Sequence, residues 1–147
     1  MVRKRVEMKT LQLLLPIAVY TSLILGLQIL LMDKWLWNAA PSHALGLVLF
    51  VVVDGLLLLA MWDKIRFATL GTVLVSFAQL AAMIGDIVNG QPTGVPADSF
   101  RSYLLADTIF ISLLVVQGII LSLATIALAA PFFSSEHRLS LFKIRKH

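Results

Sequence analysis

Four apolar runs, at about 11–32, 44–62, 67–88 and 103–130, occupy most of this chain and decide what it can fold into. A helix needs roughly 20 predominantly apolar residues to cross a ~30 Å hydrocarbon core, and each run is near or above that length. Hydrophobic residues make up 59% of the 147, and the mean hydropathy is +0.92. That is more apolar side chain than an interior of this size can hide from water, so the solvent is lipid. The expected fold is all-α: a single integral membrane domain over 1–147, a four-transmembrane-helix bundle ending in a basic tail at 132–147. Leu11–Met32 is too long for a signal-peptide core and no small-residue cleavage site follows it, so it reads as a retained helix. Pro16 should kink the first span or mark its start, and Pro131 should stop the fourth.

Charge sets the orientation, because cytoplasmic segments keep lysine and arginine. Arg3, Lys4, Arg5 and Lys9 precede the first span, Lys64 and Arg66 lie in the short second loop, and Arg138, Lys143, Arg145 and Lys146 lie in the tail. The two opposite loops carry only Lys34 and Arg101. Both termini are therefore expected in the cytoplasm of a multi-pass cell-membrane protein, with the basic ends touching anionic lipid. A basic tail of alternating apolar residues, such as Leu139, Leu141 and Phe142, could lie along the inner leaflet or stay unfolded. Nucleic-acid binding needs a folded basic surface that these short segments do not supply. Outside, Trp35 and Trp37 fall where aromatic rings anchor to headgroups.

Several chemistries are excluded by composition. The absence of cysteine removes disulfide exchange, thiolate metal sites and iron–sulfur clusters. Of three histidines, His137 and His147 lie in the tail, so two axial haem ligands from facing helices are not available in this chain. No hydrolase, kinase or nucleotide-binding motif occurs, and an enzyme is the less favoured reading.

Asp54 stands out because it falls in the middle of the second apolar run. A carboxylate at that depth is costly unless paired, hydrated or neutral, which makes it a candidate functional residue. Helical spacing arranges other polar residues around it. Thr72, Ser76, Gln79, Met83 and Asp86 share one face of the third span; His43 and Asp54 are eleven residues apart on one face of the second. Thr21 and Gln28 share a face of the first, and Asp107, Gly118, Ser122 and Thr125, with Gln117 adjacent, fall near one side of the fourth. Asp54, Gln79 and Gln117 lie near mid-depth, whereas Asp33, His43, Asp86 and Asp107 gather at the outer end, giving an acidic mouth. Val53-Asp54-Gly55 also echoes Val116-Gln117-Gly118, as a duplicated hairpin would.

Three uses of this pattern compete. Polar faces can pack against one another or against partner subunits, with small residues allowing close approach. A cation or proton path can run from Asp33, Asp86 and Asp107 through Asp54, with Gln28, Gln79 and Gln117 along it. An outer metal ion can be held by His43 with Asp86, Asp107 or Asp33, as mixed nitrogen and carboxylate ligation suits zinc, copper or manganese. Against the last, Ser42-His43 after Pro41 also reads as a helix start. No resident cofactor is expected, only lipid contacts.

The run Met32-Asp-Lys-Trp-Leu-Trp-Asn-Ala-Ala-Pro-Ser-His-Ala44, followed by Gly46-Leu47 and Asp54, resembles small four-helix membrane proteins of ammonia-oxidising archaea. The resemblance covers about a fifth of the chain and carries no catalytic motif. It implies a subunit of an energy-converting complex such as ammonia monooxygenase or a respiratory oxidase. The leading expectation is thus a non-catalytic membrane subunit whose polar faces, Asp54 included, bond to partner subunits. The alternative is a small autonomous transporter or channel for a cation, proton or small amine, with Asp54 as its midplane site.

Overall fold

The computed structural model describes residues 2–63 and 67–144, with side chains described over 13–63 and 67–129. The basic residues of the N-terminus, of the loop at 64–66 and of the tail lie outside the described side chains. The protein is all-α, with α1 (Val2–Met32), α2 (Lys34–Ala39), α3 (Pro41–Trp62), α4 (Ala68–Asn89), α5 (Ala97–Ala106) and α6 (Thr108–Ile144). Four of these contain segments long and apolar enough to cross a membrane: Leu13–Met32, Pro41–Trp62, Ala68–Asn89 and Thr108–Ala129. They correspond to the four apolar runs of the sequence. Around the bundle α1 packs on α3 and α6, and α4 packs on the same two, so α1 faces α4 and α3 faces α6 across the diagonals. Short helices α2 and α5 lie together at the end where α1 and α4 finish and α3 and α6 begin, and they cap it.

Much of the helices' outer surface is apolar while several polar side chains are buried, the reverse of a water-soluble amphipathic helix. Along α4, Thr72, Ser76, Gln79 and Met83 point inward while Leu70, Leu74, Phe77, Ile84 and Val88 face out. On α3 the outward stripe is Leu45, Leu49, Val52, Leu56 and Leu59, and only Ala44 and Asp54 are fully buried. A surface of branched aliphatic side chains has no favourable contact with water and suits acyl chains. At Gly26, α1 and α3 approach so closely that a Cβ would lie 2.7 Å from Val51 Cγ2, which explains a glycine inside a helix that otherwise disfavours one.

Two expectations about the elements are corrected. The fourth span is not continuous from 103: α5 ends at Ala106, the backbone turns extended at Asp107, and α6 starts at Thr108. Asp107 forces the break by accepting the Ile109 N–H at 2.8 Å through Oδ1, an N-terminal cap that competes with helix continuation. Pro96 occupies the N-cap position of α5, and Asp98 lies in its first turn, where a negative charge suits the helix dipole. Pro131 does not end α6, which runs on to Ile144, just as α1 runs through Pro16. A proline removes one N–H donor and leaves the remaining ladder bonds available, so a long apolar helix can carry it. The first loop also contains an unforeseen helix, α2, started by Asp33, whose Oδ1 accepts the Leu36 N–H at 2.9 Å.

Candidate functional site: a cavity with an acidic floor

Asp54 lies thirteen residues into α3, about 20 Å along its axis at 1.5 Å per residue, near the middle of the bundle. It is 5% exposed and meets side chains from the other three long helices. Its Oδ2 accepts from Ser22 Oγ of α1 at 2.6 Å, and its Oδ1 accepts from Gln79 Nε2 of α4 at 2.9 Å. Gln117 of α6 donates through Nε2 to Ser22 Oγ at 2.7 Å. The chain of donors thus runs from Gln117 to Ser22 to Asp54, and from Gln79 to Asp54.

With Asp54 ionised, the direction of every one of these bonds is fixed. A carboxylate accepts, so Ser22 gives it the hydroxyl proton and Gln79 gives it an amide proton. Ser22, having donated, accepts from Gln117 with its lone pair. Each glutamine therefore turns its NH₂ into the network and its carbonyl away from it, and Gln79 Oε1 and Gln117 Oε1 have no hydrogen-bond partner. Both residues are almost fully buried, at 1% and 2% exposure. An unpaired buried acceptor costs about 1–3 kcal/mol, so two at one place call for an explanation.

These four residues form the floor of a cavity of about 310 Å³. Its walls are Ile29, Leu47, Phe50, Met83, Phe110 and Leu113, and it extends toward the capped end as far as Ser42, His43, Asp86 and Asp107. No lysine or arginine lines it among the described residues. Part of the mouth is covered by an aromatic cluster: Trp35 of α2 lies 3.9 Å between ring centroids from Tyr103 and 6.2 Å from Phe100, and His43 meets Phe100 edge-on at 5.0 Å. Arg101 holds α5 in place by donating to the carbonyls of Ile87 and Val88 at the end of α4, at 2.9 and 3.0 Å.

The expected site residues separate into groups. Asp54, Gln79 and Gln117 meet as one network, and His43 shares the cavity with them. The intersubunit bonds expected of Asp54 are not needed to satisfy it, since both carboxylate oxygens are paired within the chain. Gln28 is half-buried and lies outside the cavity lining. Of the outer acids, Asp86 faces His43 at 3.3 Å, while Asp33 and Asp107 cap α2 and α6. Among the described residues no three histidine or acidic side chains converge as a metal ion would require. Trp37 is exposed and donates through Nε1 to Leu30 O at 2.8 Å, tying α2 to the end of α1.

Ser22 is the member that sequence reasoning passed over. The polar face of α1 was placed on Thr21 and Gln28, but Thr21 is exposed and bonds to Ile17 O on its own helix. The inward stripe is one residue on, Ser22, Gly26 and Ile29, and small residues four apart were the available signal. On α6 the same shift occurs: Phe110, Leu113, Gln117, Ile120 and Ala124 face inward, whereas Ser122 and Thr125 are exposed and donate to Gly118 O and Leu121 O.

No protein-family model, curated protein or solved structure matches this chain, so its class rests on its own architecture: four membrane-length apolar helices around a cavity with an acidic floor.

Proposed function

We propose that this chain is a small autonomous carrier of a cationic solute, which enters the cavity at the capped end and is held at Asp54. The observation that carries this reading is the floor itself: a carboxylate flanked by two glutamines whose buried amide oxygens are unpaired, with no lysine or arginine lining the cavity among the described residues. A positively charged ligand that donates hydrogen bonds answers all of them at once. The excess of lysine and arginine at the opposite end supports a mouth facing out of the cytoplasm. A permanently open channel is disfavoured, because below Asp54 the bundle closes over Leu15, Val19, Ile120 and Ala124. A carrier with its site accessible from one side at a time fits that closure.

The test is uptake by purified protein in liposomes, driven by an imposed gradient of potassium or of labelled methylammonium. Saturable uptake that Asp54→Asn removes supports the proposal. Uptake that is unchanged in Asp54→Asn, or absent for every cation offered, contradicts it.

A second reading is the membrane subunit implied by the Met32–Ala44 resemblance. A shallow apolar groove along the outer side of α4, lined by Phe77, Ala81, Ile84, Gly85 and Val88, offers a helix from another subunit close approach. Comigration with larger proteins from gently solubilised native membrane supports it. The carrier reading takes precedence because the Asp54 carboxylate, which a partner would have satisfied, is bonded inside the chain.

A further inference from the structure

The cavity above the floor says what kind of cation it takes. At its floor the acceptors are oxygens: the Asp54 carboxylate and, buried beside it without a hydrogen-bond partner, Gln79 Oε1 and Gln117 Oε1. The floor has one carboxylate, and of the others lining the cavity Asp33 and Asp107 cap helices and Asp86 faces His43, so too little charge converges at the floor for a divalent ion, which gathers six or more oxygens and commonly several carboxylates. A bare monovalent ion would satisfy the floor and leave Ile29, Leu47, Phe50, Met83, Phe110 and Leu113 lining a space filled with water. A quaternary ammonium has no N–H to give either amide oxygen and is recognised by open aromatic boxes. Here the aromatic rings at the mouth are stacked on one another instead. A primary ammonium carries one positive charge and three N–H donors, matching one carboxylate and two carbonyls in number and in charge.

We infer that the ligand is a primary ammonium ion with a compact apolar body. The ammonium group lies against Asp54, the Gln79 and Gln117 amides turn their buried carbonyls to it as its other acceptors, and the body lies against the aliphatic and aromatic walls toward the mouth. A volume of about 310 Å³, at ~30 Å³ per water-sized group, limits the ligand to about ten non-hydrogen atoms. The apolar body gains by leaving water, which a hydrated metal ion does not. The inference rests on the carrier reading, since it names the solute of the same site.

Titration of the purified protein in nanodiscs by calorimetry tests it with four probes: n-hexylammonium, n-hexyltrimethylammonium, hexan-1-ol and potassium ion. The alcohol has the same body without charge, and it also reports partition into lipid. The expected result is saturable one-to-one binding of n-hexylammonium, at least about tenfold tighter than the trimethylated ion or the alcohol. Gln117→Leu should shrink the preference over the trimethylated ion. Gly46→Leu provides a variant that does not disturb the network: a side chain there enters open space in the cavity and should weaken n-hexylammonium binding while the melting temperature holds. Equal binding of the trimethylated ion, or binding of potassium that n-hexylammonium does not displace, overturns the primary-amine assignment and leaves a cation site at Asp54. Equal binding of hexan-1-ol with no effect of Asp54→Asn, or no saturable binding of any probe, overturns both readings.

Discussion

Toward the loop at 63–67, Leu15, Val19, Ile120 and Ala124 close the bundle tightly, with Leu57, Met61 and Val116 around them. Toward α2 and α5 the same four long helices part around a cavity. Both halves contain buried polar side chains, and the difference lies in how those are satisfied. In the closed half, Thr72 and Ser76 donate to the carbonyls four residues back, at 2.8 and 2.6 Å, and ask nothing of the neighbouring helices. Around the cavity floor, Asp54, Gln79 and Gln117 have no such local acceptor in reach of all their groups, so they bond across helices and leave two oxygens over. In lipid, a hydroxyl that folds back on its own helix is structural, whereas an amide or carboxylate that cannot do so marks a site.

Substitutions can break this contrast. Asp54→Asn should have the largest effect, lowering cation binding by about a hundredfold, because it removes the buried carboxylate at the cavity floor that opposes the ligand's charge; calorimetry in nanodiscs reads this. Gly26→Ala comes next. Its methyl group would press on Val51, so the melting temperature of the detergent-solubilised protein should fall by an amount reflecting about 1–3 kcal/mol of overpacking. Ser22→Ala breaks the link between Gln117 and Asp54 and should cost about 1–2 kcal/mol in the same melt, together with a weaker grip on cations. Ser122→Ala and Thr125→Ala, on the lipid face, should shift stability by less than about 0.5 kcal/mol and leave binding unchanged. If the last pair matched Ser22→Ala, the distinction between local and cross-helix polar groups would fail.

The spans were legible because twenty-residue apolar runs have no other stable use in a chain of this size. Asp54, Gln79 and Gln117 were legible for the complementary reason: they are the side chains such runs tolerate least. Periodicity also placed the face of α4 correctly, since Thr72, Ser76, Gln79 and Met83 repeat over about three turns. It misplaced the faces of α1 and α6 because Thr21, Ser122 and Thr125 look polar in sequence but bond to their own helices and face outward. Ser22 looks no different from them, and only the position of Asp54 across the helix interface makes it part of the site. The break at Asp107 was hidden by apolar residues on both sides, and its cause is a single side-chain bond. The cavity follows from the way four helices separate toward α2 and α5, which no repeat within one helix records.

The absence of native cysteine makes the contrast between the two halves directly measurable. Single cysteines at Gly46, in the cavity wall, and at Ala124, in the closed half, can be treated with a water-soluble thiol reagent in reconstituted protein, with the labelled fraction followed over time. The account predicts that Gly46→Cys is modified readily, that n-hexylammonium slows it, and that Ala124→Cys is not modified. Equal modification of the two positions, or a Gly46→Cys that the reagent never reaches, would contradict a cavity open at one end and sealed at the other.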